Sequence, residues 1–393
     1  MTHLANHLDH LPFMRRALDL ATETTALASP NPRVGCVLVR KGKIIGEGAH
    51  VYEQFDHAEI VALKQADARG IDPSGATAYV TLEPCSHHGR TGPCADALIL
   101  AGITHVVVAT EDPNPEVRGR GIAKLRAAGI EVTTGPLCAE ARALNDAFAH
   151  FILNRRPFVT LKAALSVDGR LAPPPGRRYP NQPFWLTGPA ARADVQRIRH
   201  ASDAILTGIG TVLADDPSLA DRSQLPRRRP LLRVVLDTQL RIPIDSQLVR
   251  TVEDDLLILC ATTAPTHRAE NLRAAGAEVE HIPSHHNQLS LPTVLDLLAE
   301  RNLTSLLLEC GSALNGTFLQ QDLVDQAVLF YTETELGPAG LPFATGQPSP
   351  YHLQERLTRI SRETFPNGKP GKAEDVRITG YLHDPWNQPL GIS

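Results

Sequence analysis

Apolar residues in this chain fall into short runs, many of them β-branched, separated by longer stretches with three- and four-residue spacing. That pattern predicts strands alternating with helices. A helical stretch from Leu11 to about Ala28 precedes PNPRVGCVLVRKGKIIGEGAH, which predicts two short strands joined at Lys41-Gly42-Lys43. A helix opened by His57 follows, then a strand ATAYVTLE, a helix from Cys94 through ADALILAGI, a strand THVVVAT, a helix GRGIAKLRAAGI and a strand EVTTG. A second round starts at PFVTLKAALSVDGRLA and continues with a helix PAARADVQRIRHA and strands DAILTG, LLRVVLD and LLILCAT. It closes with SLLLECG, a helix ALNGTFLQQD and QAVLFYT. Apolar strands set between helices imply sheets covered on both faces, so both rounds are α/β. HFILNRRPF is the best boundary and divides the chain into domains 1–150 and 156–393. The proline-rich stretches LAPPPGRRYPNQP and LPFATGQPSP read as surface loops.

Composition narrows the function classes. With 393 residues, 42% of them hydrophobic, the chain can bury two cores. Lys and Arg number 39 against 43 Asp and Glu, a net charge of −4, so no general basic surface is offered to nucleic acid or to an acidic membrane. The first twenty residues are dotted with His, Asp and Arg and lack the apolar run of a signal peptide, and no later stretch is long enough to span a bilayer. The expected address is the cytoplasm, where scattered cysteines serve as metal ligands or small hydrophobes rather than disulfides. Of the six, Cys85 and Cys94 lie close in sequence; Cys36, Cys138, Cys260 and Cys310 sit in or beside apolar stretches and read as buried thiols.

The candidate chemistry starts at HAEIVALKQADARG, a helix that opens with His57 and, two residues on, Glu59. Two residues are about 200° apart on a helix, so the pair cannot share a face in mid-helix. At the first turn, with the helix end aimed at a metal, His57 can ligate while Glu59 reaches a bound water. After the next strand comes EPCSHHGRTGPC. His57, Cys85 and Cys94 make three ligands for a tetrahedral zinc and leave the fourth position open, the arrangement of a catalytic site. The alternative on residues alone is a closed structural site with His87 or His88 as fourth ligand. Pro93 suits the first position of a helix, and the N–H groups there favour thiolate at Cys94.

His-x-Glu followed by Pro-Cys and a later Cys resembles the signature of zinc nucleobase deaminases, although eight residues separate the two cysteines here where two are usual. With SPNPRVGCVLV before the motif and DPNPEVRGRG after it, the chain resembles the bifunctional riboflavin-biosynthesis deaminase/reductase family over almost its whole length. The resemblance implies a cytidine-deaminase-like N-terminal domain followed by a dihydrofolate-reductase-like domain, with Zn2+ and NADPH as cofactors. It implies zinc-dependent hydrolytic deamination of 2,5-diamino-6-ribosylamino-4(3H)-pyrimidinone 5′-phosphate, then NADPH-dependent reduction of the ribosyl chain to ribityl. His57, Cys85 and Cys94 then hold zinc, and Glu59 shuttles the proton. Asn31 is the substrate-binding asparagine, and His50, His87 and Arg90 contact the base or ribose phosphate unless they are solvated loop residues.

The second domain has no G-x-G-x-x-G, since LTGIGTVLADDP lacks the third glycine. Its reading comes from LKAALSVDGRLA, FWLTGPAAR, AILTGIGTVLADDPSL and LLLECGSALNG, which match the family's reductase half. The match implies NADPH contacts at Leu165, Trp185, Thr211 and Asp215. It adds the turn Gly311, Ser312, Ala313, Leu314, Asn315, Gly316 and Thr317, where a cofactor phosphate would meet a helix N-terminus. Substrate positions are Lys162, Thr187, Arg199, Leu219, Arg222 and Glu309, with the two arginines gripping the phosphate. The chain departs from the family at Gly92, Pro183, Phe184 and Cys310 and in its longer Pro/Arg-rich loop. The expected partner is a small molecule, with no nucleic acid and no membrane, and the resemblance implies a homo-oligomer. Without it, a deaminase with a regulator-binding second domain and a structural zinc module both stay open.

Overall fold

Alternation of side chains along each strand decides which residues go to which face. In the first sheet Cys36, Leu38, Ala78, Val80, Val106 and Val108 point to one side, while Val37, Val39, Tyr79 and Val107 point to the other, and both sets are buried. The computed structural model describes residues 2–88, 92–174, 177, 184–286, 288–347, 349–368 and 371–387. The chain divides into two compact units: Met1–Asn154 with Pro226–Arg228 and Trp386–Ser393, and Arg155–Leu225 with Arg229–Pro385.

The first unit runs α1 (Thr2–Glu23), β1 (Gly35–Arg40), β2 (Lys43–Ala49), α2 (Ala58–Ala68), β3 (Thr77–Val80), α3 (Cys94–Leu100), β4 (His105–Val108), α4 (Arg120–Ala127), β5 (Glu131–Thr134), α5 (Cys138–Leu144) and α6 (Asp146–Asn154). Its five strands lie in the order β2-β1-β3-β4-β5. The β1–β2 hairpin turns at Lys41-Gly42, both with positive φ, as a two-residue hairpin requires. β1 is antiparallel to both neighbours, and β3, β4 and β5 are parallel, so every strand except β1 points its carboxyl end the same way. The segments after β2, β3 and β4 therefore emerge together with the segment that enters β1. That end of an α/β sheet is where ligands bind.

Helix α1 stops five residues short of the predicted Ala28. The hydroxyls of Thr24 and Thr25 turn back onto the carbonyls of Ala21 and Thr22, and Ala26 takes a positive φ, so local side-chain bonding outcompetes the helix. Helices α5 and α6 have no counterpart in the sequence reading, and the stretch HFILNRRPF begins within α6.

The strands of the second unit are β6 (Phe158–Ser166), β7 (Arg170–Ala172), β8 (Ala204–Gly208), β9 (Leu232–Leu236), β10 (Leu256–Ala261), β11 (Glu278–Ile282), β12 (Ser284–His285), β13 (Gln288–Leu289), β14 (Ser305–Leu308), β15 (Gln326–Thr332), β16 (Leu341–Pro342), β17 (Thr358–Phe365) and β18 (Asp375–Tyr381). Nine form one sheet in the order β11-β10-β9-β8-β14-β6-β15-β18-β17, parallel except at β18. Its α7 (Pro189–His200) and α8 (Ile209–Asp215) flank β8 in sequence. Leu206 and Leu306 enter one core, Ile205 and Leu307 the other, so this sheet too is covered on both faces. The stretch LPFATGQPSP is not simply a surface loop. β16 pairs with β7, and Phe343 and Ala344 are buried because an apolar ring beside a paired strand has a core to enter.

Candidate active sites

The first site gathers at the carboxyl ends of β2, β3 and β4. His57 is the N-cap of α2 in extended conformation, so its ring swings off the helix end, while Glu59 in the first turn is buried at 3% exposure. Cys85 follows β3, and Cys94 opens α3. His57 Nδ1 lies 3.2 Å from Cys94 Sγ and 3.5 Å from Cys85 Sγ, and all three ligand atoms lie within 4.8 Å of one another. A tetrahedral zinc with bonds of about 2.3 Å to sulfur and about 2.0 Å to nitrogen separates such atoms by about 3.5 Å, so these residues fit it. Neither His87 nor His88 belongs to the cluster among the described residues, which leaves three ligands and an open position.

Pro93 is the N-cap of α3 rather than its first residue, and the N–H of Cys94 donates to Cys85 Sγ at 3.3 Å. The helix start thus favours thiolate at Cys85 rather than at Cys94. The Cys94 thiol is the largest influence holding Cys85 down to about 4, and Cys94, sharing that proton and buried, moves up. Bonding to the Cys85 sulfur raises His57. Burial is the main cause pushing Glu59 up to about 7, the Cys85 sulfur adds to it, and His57 opposes both.

A cavity of ≈ 280 Å³ opens over this cluster, lined by Asn31, His50, His57, Glu59, Cys85 and His87 among others. Asn31 Nδ2 lies 3.0 Å from His50 Nε2, and His50 Nδ1 lies 2.8 Å from the Asp56 carbonyl. The carbonyl accepts, so Nδ1 carries the proton and Nε2 accepts from Asn31. His50 is thereby tied to the asparagine, and both line the cavity. Arg90 lies outside the described residues.

In the second unit a cleft of ≈ 650 Å³ is lined by Lys162, Thr211, Asp215, Glu309, Cys310, Gly311, Ser312, Ala313 and Leu314, with β7 and β16 closing one side. Expected cofactor and substrate positions meet there. Nothing lies within 4 Å of a Cβ added at Gly210, and one added at Gly311 meets only Thr211 Oγ1 at 3.6 Å. The two glycines leave a bare backbone cradle at the start of the helix Ser312–Gln320, whose N-cap Gly311 makes no side-chain bond, so the residues fit a nucleotide phosphate.

Other expected positions lie elsewhere. Leu165 is in the core, Asn315 is buried with Nδ2 donating to the Phe343 carbonyl, and Gly316 packs against the Thr345 carbonyl. The Thr317 hydroxyl bonds back to Ala313, and Trp185, 55% exposed, stacks under the Arg192 guanidinium. Thr187 is buried and its carbonyl accepts from Arg192. Leu219 is buried at positive φ, and Arg222 is exposed with its N–H on Gln196.

Arg199 puts its fork on Glu309, at 2.7 and 3.0 Å, and a third donor on the Ala220 carbonyl, so its guanidinium is held by a carboxylate. Lys162 Nζ is 3.5 Å from the same carboxylate. Burial would raise Glu309, but Lys162 and Arg199 outweigh it and hold the acid at about 2. Cys310 donates to the Leu206 carbonyl, and burial pushes its thiol up. Of the four cysteines read as buried, Cys36 and Cys260 are, while Cys138 and Cys310 are half-buried.

Residues 8–110 match the cytidine and deoxycytidylate deaminase zinc-binding region, and residues 157–368 match the RibD C-terminal domain. The riboflavin biosynthesis protein RibD of Actinobacillus pleuropneumoniae is 43% identical over 316 residues, 80% of this chain and 81% of that protein. This chain belongs to the RibD family. The RibD protein of Escherichia coli (strain K12) is 42% identical over 330 residues, 83% of this chain and 88% of that one. Among solved structures, Acinetobacter baumannii RibD superposes with a TM-score of 0.78 at 34% identity, covering 95% of this chain and 99% of that chain. A Thermotoga maritima protein named diaminohydroxyphosphoribosylaminopyrimidine deaminase/5-amino-6-(5-phosphoribosylamino)uracil reductase superposes with a TM-score of 0.80 at 33% identity, covering 96% and 99%.

Several residues around the RibD-family site are not among the expected site residues. Tyr52, Phe55, Asp112, Asn114 and Phe148 line the deaminase cavity. Burial is the main cause pushing Asp112 up to about 6. Glu83, two residues before Cys85, accepts backbone N–H bonds from Asp112, Gly119, Gly121 and Ile122 at 2.9–3.2 Å, which ties DPNPEVRGRG to the zinc loop. A Cβ on Gly121 would sit 2.0 Å from the Pro84 carbonyl, so only glycine allows that approach. The signal available in sequence was a carboxylate beside Pro-Cys, followed some thirty residues on by a glycine-bearing loop.

Proposed function

We propose that this chain deaminates 2,5-diamino-6-ribosylamino-4(3H)-pyrimidinone 5′-phosphate and then reduces the ribosyl chain of the product to ribityl with NADPH. It is a riboflavin-biosynthesis enzyme with a deaminase half and a reductase half. The observation that carries the reading is the pairing of an open His-Cys-Cys cluster with a buried carboxyl, Glu59, in one cavity, alongside a second cleft that unites Lys162 and Glu309 with a glycine cradle. Deamination is assigned to the unit built on residues 1–150 and reduction to the chain from residue 156, with Trp386 packing in the first unit.

Zinc held by His57, Cys85 and Cys94 supplies a Lewis acid that makes water a nucleophile near neutral pH. Glu59 takes the proton from the attacking water and hands it to the departing ammonia, a relay suited to a carboxyl at about 7. Asn31, oriented by His50, presents its amide to the edge of the base, and exposed His87 faces the same cavity. In the reductase cleft NADPH supplies the hydride. Gly311 and Ser312 would hold its phosphate, Thr211 and Asp215 line the same cleft, and Lys162, steadied by Glu309, would present a cationic donor to the sugar phosphate.

Six free cysteines suit a reducing cytoplasm, and no helix among the described residues is long and apolar enough to cross a membrane. Self-association into a homo-oligomer completes the proposal, and light scattering gives the copy number. The deciding experiment follows ammonia and NADPH absorbance in one tube after adding the diaminopyrimidinone nucleotide to zinc-loaded protein. Ammonia release preceding NADPH loss is expected. Ammonia without NADPH loss removes the reductase assignment, and neither signal removes the substrate.

A further inference from the structure

Between β2 and His57 the chain makes a turn that costs energy. Residues Tyr52–Gln54 form a short 3-10 turn, Phe55 follows at φ 63° and ψ −36°, and the Asp56 N–H donates across it to the Gln54 carbonyl at 2.7 Å. This is a three-residue γ-turn of the rare hand, which a bulky residue occupies only where its surroundings impose it. The surroundings do so from both sides. The Tyr52 N–H donates to the Leu27 carbonyl at 3.1 Å, while Arg228 lies 4.3 Å over the Tyr52 ring and pairs with Glu53 at 3.2 Å. Beyond the turn, the Asp56 carbonyl receives His50 and its carboxylate receives Lys64 at 2.6 Å.

What the braced turn delivers is the Phe55 ring. It lines the same cavity as Glu59 and His57, and it is 49% exposed, where Tyr52 and Phe148, the cavity's other phenyl-bearing walls, are half-buried. The cavity offers polar groups at the edge of a planar guest, Asn31 and Glu59, and apolar sides in Val34 and Leu82. A flat heteroaromatic ring held by its edge needs a partner for its face, and aromatic side chains supply one for any base. We propose that Phe55 is a specificity-determining residue of the deaminase site, its ring covering the face of the bound pyrimidine. The proposal rests on reading this cavity as the deaminase pocket.

Three variants test it: Phe55→Leu keeps apolar bulk without a π face, Phe55→Gly also relieves the turn, and Phe55→Trp keeps a stacking ring that reports by fluorescence. Phe55→Leu should raise the deaminase KM about tenfold, as expected for loss of one base–aromatic stack, with kcat within about twofold and zinc content unchanged. Phe55→Gly should raise KM as much while melting no lower than the parent, which separates the ring from the turn. In Phe55→Trp, fluorescence corrected against the parent should be quenched by the nucleotide, half-saturating at that variant's KM. A KM in Phe55→Leu within about twofold of the parent, given the tenfold change expected of a stack, overturns the proposal. A fall in kcat that tracks zinc loss overturns it as well. If the parent releases no ammonia from the diaminopyrimidinone, the substrate reading fails separately. The Phe55→Trp titration with cytidine 5′-phosphate then decides Phe55, a quench upholding it and none overturning it.

Discussion

Glu59 sits where its surroundings disagree about its charge. Burial and the Cys85 sulfur favour the neutral acid, while the His57 ring favours the carboxylate. Glu59→Gln keeps the shape and the metal ligands but cannot move a proton. Ammonia release should fall about 10³-fold, in the range general acid–base catalysis contributes, while metal analysis still finds zinc. A second perturbed group is His383 in the second unit, 3.1 Å from both Asp325 and Asp322. Its bond to Asp325 is the main cause raising the imidazole above its ordinary value, Asp322 adds to it, and burial opposes both. A raised histidine stabilises the fold fully below its unfolded pKa of about 6.5, and that stability is lost as pH climbs through the folded value. Denaturation midpoints of the second unit should drop across that window, and His383→Gln should flatten the drop.

At the scale of elements, close backbone approaches fix the reductase cleft. A Cβ at Gly316 would stand 2.1 Å from the Thr345 carbonyl, and Thr345 in turn donates its N–H to the Ser312 carbonyl at 2.9 Å. Gly316→Ala must push the helix Ser312–Gln320 away from that segment. A shift of about 1 Å there should raise the KM for NADPH about tenfold, measured at saturating substrate, with ammonia release unchanged. Local elements of this kind were legible in sequence where the signal was local. The β1–β2 turn at Lys41-Gly42, the helix opened by His57, and Cys85 and Cys94 nine residues apart all carry their reasons within one motif. Positions whose reasons lie far along the chain were not. The partner of Arg199, Glu309, is 110 residues away, and LPFATGQPSP read as a loop because β7, the strand that β16 pairs with, lies far back in the sequence. Phe55 gave no sign at all, since Arg228, which braces its turn, arrives from a segment otherwise surrounded by the second unit's sequence.

For the whole molecule, two cores and two sites imply separable chemistry. Removing zinc with a chelator should abolish ammonia release yet leave NADPH oxidation intact when the deaminated nucleotide is supplied. Loss of both activities on chelation would mean that the metal supports more than the first unit. The division of labour is not a division of the chain. Trp386 lies in the first unit's core, 6% exposed, with Nε1–H bonded to the buried Asp146 carboxylate at 2.8 Å and the Arg142 guanidinium 5.1 Å over its ring. A ribosome reaches that tryptophan only after translating the whole of the second unit. During synthesis, then, the deaminase half is the first to emerge and the last to be complete.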